Sequence, residues 1–282
     1  RDGVVCVLND PVDREVLEAS AAKIFSNYAV GYDNIDLQAA TQLRIMVTNT
    51  PGVLTDTTAE LAWALIFSVA RRIVEGDRFT RGGRFKGWSP MLLLGTDIGG
   101  KTLGILGAGR IGTAVALKSR GLPMKILYSD LRENRVIENE LNARKVDLYE
   151  LLRESDFLTI HLPLTKGTRH LIGERELDMM KQSAILINTS RGPIVDETAL
   201  VRSLRERRIA GAALDVYEKE PDLAPGLSDL DNVVLTPHVG SATIETRDRM
   251  ATVAADNVIA GLSGQVPPNL VNREVLDVKK RS

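Results

Sequence analysis

The sequence predicts an α/β protein in which a doubly wound parallel-sheet domain is inserted into a smaller α/β domain. The main observation is that short apolar runs alternate with amphipathic segments along most of the chain, which favours right-handed βαβ crossovers and a parallel sheet. The alternation is most regular from about residue 101 to 238. Six runs there are suited to strands buried on both faces: TLGILG, KILYSD, DFLTIHL, AILINTS, GAALDV and VVLTPH.

The two ends of the chain are predicted to form the smaller domain together. Three strand-like runs, GVVCVL, AKIFSNY and RIMVTN, precede a long helix predicted at roughly 56–76, whose start is marked by capping residues in TDTTAE. A second long helix, ATIETRDRMATVAADNVIAGLSG, follows the sixth strand of the larger domain. We therefore expect the smaller domain to comprise 1–72 and 241–282, and the larger domain 73–240.

Composition limits the partners and the location. Lys plus Arg number 36 and Asp plus Glu 37, and the net charge of -1 gives no general attraction to nucleic acid or to an anionic membrane. The longest apolar run, LAWALIFSVA, is too short to span a bilayer. Cys6 is the only cysteine, so no intrachain disulfide can form, which suits the cytoplasm. We expect no nucleic-acid partner, no membrane partner and no metal site.

The first strand of the larger domain runs into a glycine pattern, LGILGAGRIG, which places Gly107, Gly109 and Gly112 between a strand and a helix. In such a turn the first glycine permits the bend, the second lets the backbone approach a pyrophosphate, and the third lets the helix pack on the strand. The helix N-terminus then faces the phosphates with its free N–H groups. The pattern predicts a Rossmann dinucleotide-binding domain. The other loop residues assigned to the cofactor are Ala108, Arg110 and Ile111.

An acidic residue at the end of the second strand indicates which dinucleotide is bound. Asp130 lies 18 residues after Gly112, where a carboxylate accepts hydrogen bonds from an adenosine ribose and repels a 2′-phosphate. NAD is therefore favoured over NADP. Ser129 and Arg132 lie beside Asp130 and weaken that preference, so NADP stays open. The alternative interpretation of Asp130 is a turn aspartate.

Three further strand ends carry charged side chains. Arg191 follows the fourth strand, Asp215 and Glu220 follow the fifth, and His238 follows the sixth. In doubly wound folds, ligands bind outside the carboxyl ends of the strands. These groups are therefore expected to converge on the edge that holds the glycine loop.

Several separated segments resemble one known family. LGILGAGRIG, INTSRGPIVDE, ALDVYEKEP and TPHVGSAT resemble the signature segments of the D-isomer-specific 2-hydroxyacid dehydrogenases, and SNYAVGYDNID and VTNTPGVLTDTTAELAW extend the likeness over nearly the whole chain. The segments GWSP and LLLG resemble the glyoxylate and hydroxypyruvate reductase branch most closely. The resemblance implies a smaller domain of flavodoxin-like type. Family members carry additional βα units before the first strand, so we expect the smaller domain to be truncated at its N-terminal side.

The resemblance implies catalytic roles that the chemistry of 2-oxo acid reduction supports. Arg191 presents a planar fork that can hold the substrate carboxylate and the neighbouring oxo group. His238, when protonated, can donate a proton to the developing alkoxide, and Glu220 would orient the imidazole and favour its charged form. Taken singly, each has another interpretation: Arg191 as a surface ion-pair residue, Glu220 as a turn residue before Pro221, and His238 as a packed aromatic.

The resemblance also implies contacts farther from the proton transfer. Asp215 would face the nicotinamide amide, with a helix or turn cap as the alternative, and Pro163 would bend the chain around the cofactor. The remaining residues assigned to the cofactor are Thr168, Thr189 and Gly240. The N–H groups of Val30 and Gly31 would form a second grip on the substrate carboxylate, unless that segment is a plain loop. His161 and His170 are predicted to be structural.

These assignments predict a NAD(P)-dependent reductase whose partner is a small 2-oxo or 2-hydroxy acid and which forms a homodimer. Trp88 would reach a neighbouring subunit's site and narrow it for small substrates, or would be an interface aromatic without catalytic influence. The alternative functions are a D-3-phosphoglycerate or D-lactate-type dehydrogenase, and a non-catalytic dinucleotide-sensing binding protein of the corepressor type.

Overall fold

The computed structural model describes residues 2–279, and they form two compact units. The terminal unit comprises the described residues up to Thr57 and those from Ser241 onward; the central unit is Thr58–Gly240. The sequence suggested residue 72 as the first boundary between the units, whereas the structure has it at Thr57. The reason is that Ala59, Trp63 and Ile66 pack in a hydrophobic cluster with strand residues of the central unit.

The terminal unit is built on a parallel three-stranded sheet of order β1-β2-β3, as the three strand-like runs predict. Helix α10 carries the chain past this sheet, where the Ser26 hydroxyl donates to the Ala254 carbonyl at 3.0 Å. The strands of this unit are β1 (Gly3–Cys6), β2 (Ile24–Asn27) and β3 (Met46–Thr48), and the helices are α1 (Arg14–Ala19), α2 (Leu37–Gln42), α10 (Ile244–Leu262) and α11 (Val275–Lys279).

The central unit contains a parallel seven-stranded sheet of order β10-β9-β8-β7-β4-β5-β6. All six predicted strands are present. The seventh, β6, has only two residues, both exposed, and lacks the apolar run that marks the others. The strands are β4 (Thr102–Leu106), β5 (Lys125–Ser129), β6 (Arg144–Lys145), β7 (Phe157–Ile160), β8 (Ile185–Asn188), β9 (Gly211–Leu214) and β10 (Val233–Leu235).

The long helix predicted at 56–76 is wrong as a single element. Helix α3 (Thr55–Ala70) ends where the Ala70 carbonyl accepts a hydrogen bond from the Thr96 N–H at 2.7 Å, and α4 (Ile73–Arg81) begins after Arg72, which has a φ of 52°. The remaining helices of the central unit are α5 (Arg110–Lys118), α6 (Arg135–Leu141), α7 (Leu148–Glu154), α8 (Glu174–Met179) and α9 (Glu197–Arg205), with a 3₁₀ turn at Gly192–Ile194.

Side chains alternate between two hydrophobic clusters on the faces of the seven-stranded sheet. On β7, Phe157 belongs to the cluster that includes α3 residues, whereas Leu158 belongs to the cluster that includes α9 residues. Successive strand residues point to opposite faces, and both faces are covered by helices, so the inner strands β4, β7, β8 and β9 are buried along their length and mainly apolar. The buried strands therefore fix the positions of the residues that follow them at the edge of the sheet.

The strand order places a crevice at one point of the sheet. The chain runs outward from β4 through β5 to β6, then returns so that β7 lies on the other side of β4. At such a reversal the loops after the two adjacent strands diverge, and ligands bind between them. The glycine pattern follows β4, so it lies at this point. Among the described residues, no helix has the length and apolar character needed to cross a membrane.

Candidate active site

The glycine loop after β4 uses each of its three glycines differently. Gly107 has a φ of 95°, and a Cβ there would lie 2.8 Å from the His161 carbonyl oxygen. A Cβ on Gly112 would collide with the carbonyl oxygen of Gly107, so this glycine brings α5 against the loop. A Cβ on Gly109 would meet no protein atom within 4 Å. Two glycines are thus required by the fold, and the third leaves space beside the backbone.

The N-terminus of α5 is open to an anion. Gly109 is its N-cap and supplies no side-chain acceptor to the first N–H groups, and both Gly109 and Arg110 are exposed. Ile111, by contrast, is half-buried against the central core. Unpaired N–H groups and the helix dipole together favour a phosphate at this position.

Asp130 and Asn134 hold Ala108, the residue between the first two glycines. The Ala108 N–H donates to Oδ2 of Asp130 at 2.8 Å, and its carbonyl accepts from Nδ2 of Asn134 at 2.8 Å. Asp130 also accepts from the Arg132 N–H at 3.2 Å. The position of Asp130 at the end of β5 agrees with the sequence prediction. Asn134 was missed, although its place before α6 marks it as a capping residue, which it is.

The loop after β7 carries Pro163 and Thr168. The Thr168 hydroxyl donates to the Pro163 carbonyl at 2.7 Å and closes a turn that leaves Pro163 exposed. At the start of the same loop, Nε2 of His161 lies 2.8 Å from the Thr159 hydroxyl. Burial of the His161 ring lowers its pKa to about 3, although part of its surface stays accessible. His161 is therefore neutral at physiological pH, in keeping with a structural role.

Thr189, directly after β8, is one of four described residues whose buried hydroxyl lacks a protein partner, and it is the one at this edge of the sheet. Its side chain is 7% exposed, and its hydroxyl has no hydrogen-bond partner among the described protein atoms. Buried hydroxyls without partners are uncommon in native proteins, because leaving one unpaired costs free energy. The open space at Gly109, the uncapped N-terminus of α5 and this hydroxyl all fit a bound dinucleotide.

His238 and Glu220 form an ion-pair geometry. Nδ1 of His238 lies 2.8 Å from Oε2 of Glu220, and both side chains are 30% exposed. Burial tends to raise the pKa of Glu220, but hydrogen bonds from His238 and from the Tyr217 N–H, with the nearby charges of His238 and Arg191, lower it below its usual value. Glu220 is therefore ionised and accepts the Nδ1 proton, which leaves Nε2 of His238 as the free ring nitrogen.

Asp215 holds the turn that carries His238. The carboxylate accepts hydrogen bonds from the Thr236 hydroxyl at 2.6 Å, the Val239 N–H at 2.9 Å and the Gly240 N–H at 2.8 Å. The Asp215 carbonyl accepts from the His238 N–H at 2.8 Å. Burial, with 1% of the residue exposed, outweighs these bonds and raises the pKa of Asp215. These contacts are those of a turn cap, the alternative interpretation of this residue.

Arg191 lies on the segment that follows β8. Its guanidinium donates to the Ser190 carbonyl at 2.8 Å, and its own carbonyl accepts from Nδ2 of Asn188 at 2.9 Å. A Cβ on the next residue, Gly192, would collide with the backbone of Tyr217. The segment of Arg191 is therefore pressed directly against the segment that carries Glu220, as the predicted convergence of strand ends requires.

The predicted substrate residues Val30 and Gly31 belong to the terminal unit. The Val30 carbonyl accepts from Nδ2 of Asn49 at 2.8 Å, and the Gly31 carbonyl accepts from Nδ2 of Asn27 at 2.8 Å. The two side-chain amides thus fix the conformation of this loop. Trp88, in the central unit, is 84% exposed. The structure therefore brings together Arg191, Glu220 and His238, while Val30, Gly31 and Trp88 stay predictions as substrate contacts.

Comparison with known proteins gives consistent matches. Residues 63–240 match the profile of the D-isomer specific 2-hydroxyacid dehydrogenase, NAD binding domain. The chain is 55% identical to the glyoxylate reductase of Thermococcus litoralis over 280 residues, which are 98% of this chain and 85% of that protein. A crystal structure of a protein from Thermus thermophilus is 46% identical, with a TM-score of 0.88, covering 95% of this chain and 85% of that one.

A second crystal structure, of a glyoxylate reductase from Paecilomyes thermophila, is 36% identical with a TM-score of 0.87. The superposition covers 95% of this chain and 83% of that chain. All three similarities extend over both units, beyond the residues that match the family profile.

Proposed function

Since the chain belongs to the D-isomer specific 2-hydroxyacid dehydrogenase family, we propose that it reduces glyoxylate to glycolate or hydroxypyruvate to D-glycerate, with Arg191, Glu220 and His238 as its catalytic residues. It is a NAD(P)-dependent dehydrogenase, and the small 2-oxo acid is the proposed substrate. The observation that carries the assignment of residues is the 2.8 Å contact between His238 and Glu220, beside Arg191 and at the same edge of the sheet as the glycine loop.

His238 is the proposed proton donor. With Nδ1 bonded to the Glu220 carboxylate, the imidazole can be protonated at Nε2 and deliver that proton to the carbonyl oxygen of the substrate as negative charge develops there. The ionised Glu220 stabilises the charged ring before the transfer and keeps its orientation afterwards. In the oxidation direction, neutral His238 takes the hydroxyl proton at the same atom.

Arg191 is the proposed anchor of the substrate. A 2-oxo acid has a carboxylate next to its reactive carbonyl, and a guanidinium can donate two parallel N–H bonds to such a pair of oxygens. Val30 and Gly31 of the terminal unit are further candidates for binding a carboxylate, through their N–H groups. Their carbonyls are held by Asn49 and Asn27, an arrangement that supports a preorganised loop.

The dinucleotide supplies the hydride when it is bound. The residues proposed to hold it share a position at the carboxyl ends of the strands: Gly107, Ala108, Gly109, Arg110, Ile111, Gly112, Asp130, Pro163, Thr168, Thr189, Asp215 and Gly240. The Asp130 carboxylate favours NAD, because a 2′-phosphate beside it would be repelled.

We propose that the protein is a homodimer. Phe85, Trp88, Met91 and Leu94 are each more than half exposed within ten residues of the central unit, an apolar stretch that a second copy would cover. Light scattering tests this: wild type is expected at twice the mass of one chain, and Trp88→Ser with Met91→Ser is expected to shift it toward the monomer. A cytoplasmic location is proposed on the ground that the single thiol, Cys6, is free and buried.

Stoichiometric turnover tests the proposed reaction. Hydroxypyruvate is incubated with NADH, and NAD and D-glycerate are quantified separately. The proposal predicts one D-glycerate formed for each NADH consumed, and the same ratio for glycolate from glyoxylate. Dinucleotide binding without any 2-hydroxy acid formed would instead favour the cofactor-sensing binding protein.

A further inference from the structure

We propose that Glu197 is a positioning residue that fixes the loop carrying Glu220 and, through it, the His238 imidazole. The inference rests on the proposed function, because it concerns the same proton donor. None of the catalytic steps above uses Glu197, and the sequence did not single it out.

Glu197 is a buried carboxylate that accepts hydrogen bonds from the loop. It is the first residue of α9 and is 4% exposed. Its Oε1 accepts the Glu218 N–H at 2.6 Å, and the nearby Ala224 N–H favours the charged form of the carboxyl. Burial and the charges of Glu218 and Glu220 raise the pKa of Glu197 despite these bonds. Burying a carboxylate costs free energy, and we infer that Glu197 is useful because its contacts fix the loop.

The N–H groups of Glu218 and Ala224 lie on either side of Glu220 in the sequence. Residues 217–224 belong to the connection between β9 and β10 and contain no helix or strand. Within this connection, Oε1 of Glu220 accepts from the Tyr217 N–H at 3.0 Å, while the Tyr217 hydroxyl donates to the Thr236 carbonyl at 2.8 Å. Glu197 therefore holds the loop by a hydrogen bond two residues before the carboxylate that contacts His238.

The same loop is tied to the segment of Arg191 by two further contacts. Gly192 allows the backbones of Arg191's segment and of Tyr217 to touch, as described above. Nε2 of His170 lies 2.7 Å from Glu218, while the His170 N–H donates to the Pro193 carbonyl at 2.8 Å. These contacts fix the spacing between the segments of Arg191 and Glu220, and Glu197 supplies the buried one.

Replacing Glu197 with glutamine tests this role. Glutamine removes the negative charge and replaces one acceptor oxygen with an NH₂ group, so the hydrogen bond to the Glu218 N–H is weakened and the Ala224 N–H loses its charged neighbour. The matched control is Glu174→Gln, since Glu174 is also the first residue of a helix of the central unit, but is half exposed. Glu197→Asp serves as a second variant that keeps the charge and shortens the reach.

Two measurements separate positioning from stability. The first is the ring N–H proton of His238 in ¹⁵N-labelled, substrate-free protein; the chain has three histidines, and His238→Ala assigns the signal. The second is kcat and the KM for NADH in glyoxylate reduction. Both are recorded well below the melting temperature of each variant, so that unfolded protein does not contribute.

The proposal predicts that Glu174→Gln behaves as wild type. In Glu197→Gln, the His238 ring proton is expected to broaden or disappear, as in Glu220→Gln, and kcat is expected to fall about 10-fold with the KM for NADH within about 2-fold, because the general-acid contribution is partly lost. If both Glu197 variants lower the melting temperature but keep the ring proton and kcat, the proposal is wrong. If wild type itself fails to reduce glyoxylate, the proposed function is wrong, while the ring proton still decides the role of Glu197.

Discussion

Nδ1 of His238 lies 2.8 Å from Oε2 of Glu220, although the two residues are 18 positions apart and follow different strands. Asp215 fixes the turn of His238, and the Tyr217 N–H fixes the carboxylate of Glu220. The contact is therefore maintained by the loops themselves. The surroundings of Glu220 keep its carboxyl ionised.

The lowered pKa of Glu220 predicts a pH dependence of stability. A carboxyl whose pKa in the folded protein lies below its usual 4.5 stabilises the fold above that pH, and this stabilisation is lost as the pH falls toward the lowered value. Glu220→Gln should therefore unfold at lower urea concentration than wild type at pH 6, and the difference should shrink below pH 4.5. Glu206→Gln is the control. A difference that stays constant from pH 6 to the acid limit would contradict the lowered pKa.

Two glycine substitutions should separate cofactor binding from folding. In Gly109→Ala the new methyl group meets no protein atom, so the free energy of unfolding should change by less than about 0.5 kcal/mol. The affinity for NADH should nevertheless fall about 10-fold or more, because the methyl occupies space beside the phosphates.

Gly112→Ala should give the opposite result. Its methyl group would collide with the Gly107 carbonyl, and overpacking of this kind costs about 1–3 kcal/mol. Urea unfolding and fluorescence titration with NADH measure both quantities. Equal effects of the two variants on affinity and stability would show that the loop does not work as described.

Asp130 should control the choice of dinucleotide. Asp130→Asn keeps one oxygen for the Ala108 N–H and removes the charge that repels a 2′-phosphate. We expect the ratio of kcat/KM for NADH to kcat/KM for NADPH to fall about 10-fold, corresponding to about 1.4 kcal/mol. Asp229→Asn, at an exposed loop position, serves as the control. An unchanged ratio would assign Asp130 to the turn alone.

Asp215→Asn should destabilise the turn of His238. The carboxylate accepts three hydrogen bonds, whereas an asparagine turns one acceptor into a donor and leaves at least one N–H or O–H facing it. A buried donor without an acceptor costs about 1–3 kcal/mol, measured by urea unfolding. Thr236→Val, which removes a single donor, should cost less. An Asp215→Asn variant with the same free energy of unfolding as wild type would show that these bonds do not hold the turn.

The sequence was most informative where one segment determines its own structure. Strands buried on both faces, such as β7, consist mainly of apolar residues, and the glycine spacing after β4 specifies a turn and a helix start. The strand ends therefore predict that Arg191, Glu220 and His238 lie at one edge of the sheet.

The features that sequence reasoning missed depend on distant segments. Helix α3 stops at Ala70 because Thr96 donates to its carbonyl, and Arg72 adopts a positive φ without the glycine or proline that marks such a break. Glu197 and Asn134 act on loops 21 or more residues away, Glu218 and Ala108 respectively. A pattern within one segment carries no signal for such pairings.

The role of His238 is decided by the initial rate of NADH oxidation with glyoxylate, compared between wild type and His238→Ala. A lost general acid should lower kcat by about 100-fold to 10,000-fold, and the affinity for NADH, measured by fluorescence, should stay within about 2-fold. Both results are expected if His238 donates the proton and does not bind the dinucleotide. Retained turnover in His238→Ala would contradict the role of His238 as the proton donor.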